Sequence, residues 1–155
     1  MTLRLTTRWS AIFTLALLGL LGAIQFVPYG RSCTNPPVVA EPAWDSPDTR
    51  AIAQRACFDC HSNETRWPAY ARVAPASWLI SYDVSEGRRI VNFSEWQRSQ
   101  EEAAEAAEAI LEQEMPPRPY LLMHPKARLT APERERLAAG LTKTVRIRAE
   151  TSGQP

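Results

Sequence analysis

The sequence has almost no excess of charge: 18 Lys and Arg against 17 Asp and Glu leave a net +1. That balance gives no electrostatic footprint for a nucleic acid, and none is expected as a partner. Glycine is scarce, at six residues, and runs of β-branched residues are few. Such a chain leans away from strands and towards helices, with loops bounded by its thirteen prolines. No internal repeat is visible. Cysteine and histidine are nearly absent, at three and two residues, so any site built on thiols and imidazoles has few places to be. What remains, 45% hydrophobic and 23% charged over 155 residues, is a globular composition for one domain with an appendage.

The appendage is N-terminal. Trp9 to Val27 reads WSAIFTLALLGLLGAIQFV, with no charge and one amide, Gln25. A helix of that length spans roughly 28 Å, close to the thickness of a bilayer's hydrocarbon core. Arg4 and Arg8 precede it and no acid does. Basic residues stay on the cytoplasmic side, so the chain after Val27 is expected outside. The run is longer than a usual signal core and no A-x-A-like site follows, which favours an uncleaved anchor over residues 1–30. Residues 31–45 form a Pro-rich linker, expected to be extended and to lift the domain off the membrane. Trp44 is placed as an anchor against the folded body. Residues 46–150 are the domain, and 151–155 a tail.

Ser46, Pro47 and Asp48 are an N-cap, a first-turn proline and a first-turn acid, so a helix is expected to start there. It leads into ACFDCHSNETRW, with Cys57 and Cys60 three apart and His61 adjacent. A redox dithiol of the thioredoxin kind sits at the start of a helix after a strand, whereas this pair ends a helix with no strand before it. Structural zinc takes four ligands, usually in two close pairs, and neither Cys33 nor His124 supplies a second pair. The spacing Cys-x-x-Cys-His is the attachment signature of c-type haem: two thiols for the vinyl groups of one porphyrin edge, and an imidazole for the iron. We therefore expect one covalent haem c held by Cys57 and Cys60, with His61 as the proximal ligand.

Three residues are candidates for the sixth iron position: Met115, Met123 and His124. Glu95 to Gln113 has the composition of a helix, capped by Ser94, with Trp96, Ala103, Ala107, Ile110 and Leu111 inward and Glu101, Glu105, Glu108 and Glu112 outward. Pro116 and Pro117 end it and hold Met115 at a stiff junction, which suits a weak thioether ligand. Met115 is the expected ligand. Met123 reads as core, and His124 would give a bis-histidine haem. Ala76 to Arg89 is a further helix with Trp78, Leu79 and Tyr82 on one side; Trp78 and Trp96 read as core. Trp67 is a candidate haem contact. A carbonyl near Pro68 or Pro75 is expected to take the imidazole Nδ1–H, and Arg66 and Arg72 are candidates for the haem propionates. Thr130, Pro132 and Glu133 open a last helix from Leu129 to Arg146, with Leu137, Ala138, Leu141 and Val145 on its apolar face.

Helix, Cys-x-x-Cys-His, middle helix, Met-Pro-Pro, last helix: this order resembles the small monohaem cytochromes c. The sequence is closer still to the bacterial haem-binding-domain family related to them. The residues that carry the resemblance are WDSPDTRAIAQRACFDCHSNETRWP, VAPASWLISYDVSEGRRIVNFSEW and EMPPRPYLLMHPKARLT, between Pro42 and Leu141. The resemblance implies an all-α, cytochrome c-like haem domain behind a transmembrane helix, with His61 proximal and a methionine distal. The expected protein is not an enzyme. It is an electron carrier in the periplasm, tethered to the bacterial inner membrane by a single pass through residues 9–27 and serving unidentified redox proteins. The rival reading is a haem sensor or peroxidase-like enzyme with an open or labile sixth site.

Overall fold

The computed structural model describes residues 2–152; residues 153–155 of the expected tail lie outside it. Among the described residues the fold is all-α, with seven helices, short 3-10 turns and no strand. The helices are α1 (Thr2–Ala23), α2 (Pro47–Ala56), α3 (Phe58–His61), α4 (Ala76–Ile90), α5 (Ala106–Leu111), α6 (Arg118–Met123) and α7 (Ala131–Ser152). The chain forms two compact units, Met1–Cys33 with Trp67–Tyr82, and Thr34–Arg66 with Asp83–Pro155.

In the first unit, α1 and the 3-10 turn after it include a 19-residue stretch, Arg8–Phe26, that is long and apolar enough to cross a membrane and has none of its residues buried. A 3-10 turn over Ile24–Phe26 ends it. The side chain of Gln25 then clamps the backbone of Ala74 from both sides: Oε1 accepts from Ala74 N–H at 3.0 Å and Nε2 donates to the Ala74 carbonyl at 2.9 Å. The thiol of Cys33 donates to the Ala71 carbonyl. On α4, Leu79 and Tyr82 are exposed, not buried, and Trp78 is half-buried.

The second unit carries the core. Ser46 caps α2 through Thr49 N–H, with Pro47 in the first turn, as its sequence dictates. Ile52, Ala53 and Ala56 of α2 bury against Leu137, Ala138 and Leu141 of α7. The α7 start is a reciprocal cap: Glu133 Oε2 accepts from Thr130 N–H at 2.8 Å and Thr130 Oγ1 accepts from Glu133 N–H at 3.4 Å. This helix runs on to Ser152, beyond the expected Arg146. Phe93 is the hub of an aromatic cluster, 5.2 Å from Trp44, 5.6 Å from Phe58 and 5.8 Å from Trp96 between ring centroids.

Two expectations need correction. The segment after Asn35 is extended but is no bare spacer. Asn35 donates to the Thr65 carbonyl, Ala40 forms an isolated parallel bridge with Glu95, and Trp96 N–H donates to the Ala40 carbonyl. The long helix expected over Glu95–Gln113 is also absent. Residues 94–100 are irregular, Glu101–Ala104 is a 3-10 turn, and only Ala106–Leu111 is α-helical. The side chains that should have begun that helix are used elsewhere. Ser94 Oγ accepts from Asn63 N–H, and Gln100 bonds the backbone of Asn92 and Glu95. Tertiary polar bonding overrides helix propensity here. Trp96, Ala103 and Ile110 are buried as expected, while Leu111 is exposed.

Candidate functional site

The site starts from a break in the first helix of the second unit. At Cys57 the backbone leaves the helical region (φ −122°, ψ −31°), and α3 restarts one residue later. The Cys57 carbonyl accepts from both Cys60 N–H (3.1 Å) and His61 N–H (2.9 Å). This tight turn puts two thiols one turn apart on one side of the chain and brings the imidazole next to them.

Cys57, Cys60 and His61 line a cavity of about 320 Å³. Met115 lies on the same wall system, although it is 115 − 61 = 54 residues downstream of His61. The remaining lining is largely apolar, including Ala56, Ile90, Val91, Phe93, Ile110 and Leu141, with Asp83, Glu86, Glu102 and Glu105 also on it. Burial pushes both thiols up to about 12, helped for Cys57 by Cys60 and for Cys60 by Asp83 and Asp59. Both are therefore uncharged thiols at neutral pH, the reverse of an activated redox or metal-binding thiolate. Among the described residues no group of three or more His, Cys, Asp or Glu side chains comes together to hold a bare metal ion.

His61 is held by main chain alone. Its Nδ1 lies 3.1 Å from the Val91 carbonyl, and its own carbonyl accepts from Phe93 N–H at 2.8 Å. The imidazole partner is thus Val91, not a carbonyl near Pro68 or Pro75. With Nδ1 donating, the ring is fixed in the tautomer that leaves Nε2 as a ligand. Burial lowers the imidazole's pKa, partly opposed by that hydrogen bond, so the neutral ligand form is favoured.

Met115 is positioned by the end of α5. Gln113 takes a left-handed conformation (φ 64°), and both Glu114 N–H and Met115 N–H return to the Ala109 carbonyl at 3.0 and 3.1 Å. The helix therefore stops at Leu111, short of the prolines, by a left-handed cap. Pro116 is buried behind Met115.

The other candidates lie elsewhere. His124 stacks on Tyr120 (4.1 Å between centroids, 11° between planes) and Met123 is 62% exposed, so neither lines the cavity and Met123 is not core. Trp67 belongs to the first unit and is not among the lining residues. Arg66 is paired with Asp59 at 3.2 Å, and Arg72 lies in the first unit.

Three contributors went unnoticed in the sequence. Asp59, between the two cysteines, is buried and accepts from Arg66 and from the Tyr120 hydroxyl. Tyr120 itself lines the cavity. Gly87 sits inside α4, and a Cβ there would be 2.5 Å from the Cys60 carbonyl oxygen. A glycine in mid-helix was the available signal, since it costs stability unless close packing requires it.

A thiol pair, a neutral imidazole and a thioether around one apolar cavity are the donors of an all-α haem-binding domain. The sequence comparison agrees: a family model described as a haem-binding domain matches residues 19–143, and the chain belongs to that family. Searches of curated proteins and of solved structures return no match.

Proposed function

We propose that this protein is a membrane-tethered, periplasmic monohaem c-type cytochrome that transfers single electrons between redox proteins. The observation that carries the reading is the convergence of Cys57, Cys60, His61 and Met115 on one cavity. Bound there, haem supplies a one-electron ferric/ferrous couple. Cys57 and Cys60 would hold the porphyrin through its two vinyl groups, and as neutral thiols they would add to them without an oxidant. His61, with Nδ1–H donated to the Val91 carbonyl, would offer Nε2 to the iron. Met115 approaches from the segment fixed at Ala109. With both residues engaged the iron would have no open position for a substrate, which would leave outer-sphere electron exchange. A thioether ligand favours the ferrous state and raises the potential. The apolar part of the lining works in the same direction. The stretch Arg8–Phe26, which opens on Arg8 with Arg4 before it, supports a single pass with the domain outside.

The test is the optical spectrum of the full chain, produced with cytochrome c assembly factors, beside Met115→Ala. The wild type is expected to show the weak far-red ferric band of a sulfur–iron bond, and Met115→Ala to lose it and bind cyanide. A wild type that lacks the band and binds carbon monoxide readily would instead support a sensor or peroxidase-like protein.

A further inference from the structure

Residues 67–82, WPAYARVAPASWLISY, contain no carboxylate and no lysine, one arginine, and four tryptophans or tyrosines. They form one compact unit with the N-terminal helix and the residues up to Cys33. That unit holds six of the chain's nine tryptophans and tyrosines, with Trp9 at one end of the apolar run and Tyr29 just past the other. Tryptophan and tyrosine concentrate at the two water-facing borders of a bilayer, because their rings are apolar and their N–H or O–H is not.

The segment is fastened at the level of the helix end. Gln25, the single amide in the apolar run, uses both polar atoms of its side chain on Ala74. An amide at the end of an apolar span gains from such a partner, since an unpaired polar group in hydrocarbon costs several kcal/mol. A second fastening follows at Gly30 (φ 76°), where the backbone passes so near Ser77 that a Cβ would lie 2.3 Å from its carbonyl oxygen. The backbone at Ala74 thus sits beside the last turn of the span, and Ser77 beside the residues just beyond it. Around these points the surface is apolar: Val73 is 53% exposed, Leu79 59% and Tyr82 58%. Phe26 and Tyr29 of the same unit are also exposed. The family match begins at residue 19, so the last turns of the helix belong to the domain.

We infer that residues 67–82 are a membrane-interface element, seated in the bilayer border beside the end of α1, with Val73, Leu79 and Tyr82 in contact with lipid. The inference rests on the reading of α1 as a retained anchor. Its occupant is lipid because the patch continues the lipid-facing surface of that helix and carries no acid. Arg72, exposed on the same segment, suits the phosphate of a headgroup.

The test places the photo-cross-linker p-benzoyl-phenylalanine at Leu79, at Tyr82, at Phe13 within the span, and at Leu122 in the other unit. Each full-length holoprotein is reconstituted into vesicles of phosphatidylethanolamine and phosphatidylglycerol and irradiated, and adducts are read by mass. Lipid adducts at positions 79 and 82 comparable to those at 13, with none at the exposed position 122, are the expected result. Lipid adducts at 13 but not at 79 or 82 overturn the inference, as do cross-linked chain dimers at 79 and 82 in place of lipid. Failure at position 13 as well overturns the anchor reading itself, so the two failures are distinguishable.

Discussion

The hydroxyl of Tyr120 donates a 2.7 Å hydrogen bond to Oδ2 of Asp59, the residue between the two cysteines. It joins the segment that follows Met115 to the turn that carries the thiols, across 61 residues of sequence. Asp59 Oδ1 is already occupied by the backbone and side chain of Arg66. Tyr120→Phe therefore leaves one buried carboxylate oxygen without a donor, a loss of about 1–3 kcal/mol. Urea unfolding of the holoprotein should show that loss. Cyanide should also enter the ferric protein faster than in wild type, because the Met115 segment has lost its tie. An unchanged cyanide rate would make the bond a matter of stability alone.

Gly87 is where α4 passes closest to the attachment turn. A methyl group there would meet the Cys60 carbonyl oxygen at 2.5 Å and the Cys60 Cβ at 3.0 Å. Gly87→Ala must move α4 or the turn, with an overpacking cost of about 1–3 kcal/mol. The fraction of purified chain carrying haem should fall for Gly87→Ala and stay at the wild-type level for Ser85→Ala, on the exposed side of the same helix. Equal loading in both variants would show that the turn tolerates displacement.

Covalent attachment has a direct readout. Haem should stay with the wild-type chain through acid–acetone extraction and through a denaturing gel. Cys57→Ser and Cys60→Ser should each retain it through the remaining thioether, and the double variant should release it. Release from the wild type would mean that the thiols are not bonded to the porphyrin.

Glu41 receives both guanidinium donors of Arg50 at 2.7 Å and the indole N–H of Trp44 at 3.0 Å. The Arg50 bond, ahead of the opposing effect of burial, holds its pKa below the ordinary 4.5. A carboxylate depressed in the folded state contributes stability above its unfolded pKa and loses it as pH falls through the folded one. Glu41→Gln should thus cost about 0.5–1 kcal/mol at neutral pH, the range for a partly exposed pair. The difference from wild type should vanish in acid below the lowered pKa. Denaturant midpoints at neutral and acidic pH check this, and a gap that persists in acid would point to lost packing instead.

Local chemistry was the legible part of the sequence. Ser46-Pro47-Asp48 and Thr130-x-x-Glu133 marked two helix starts, because caps act over three or four residues. The spacing of Cys57, Cys60 and His61 pointed to a haem domain, the family the chain belongs to, and the structure brings Met115 to the cavity those residues line. What depended on distant partners was not legible. The helix expected from Glu95 dissolved because Gln100 and Ser94 bond Asn92 and Asn63, which no local pattern announces. The imidazole's acceptor was sought close in sequence, yet it lies 30 residues away at Val91. Trp78, Leu79 and Tyr82 were placed on one side of a helix, yet Leu79 and Tyr82 are exposed, because helical periodicity identifies an apolar face without saying what covers it.

The grip on His61 comes from the backbone of residues 91 and 93. A carbonyl and an amide are present whatever side chains those residues carry, so no point substitution at Val91 deletes the acceptor. Substitutions there can reshape the cavity wall while the ring keeps its tautomer. Changing the number of residues between Gly87 and Phe93 is different, since one insertion would carry the carbonyl out of reach. Variation in this stretch is therefore cheap in residue type and costly in length.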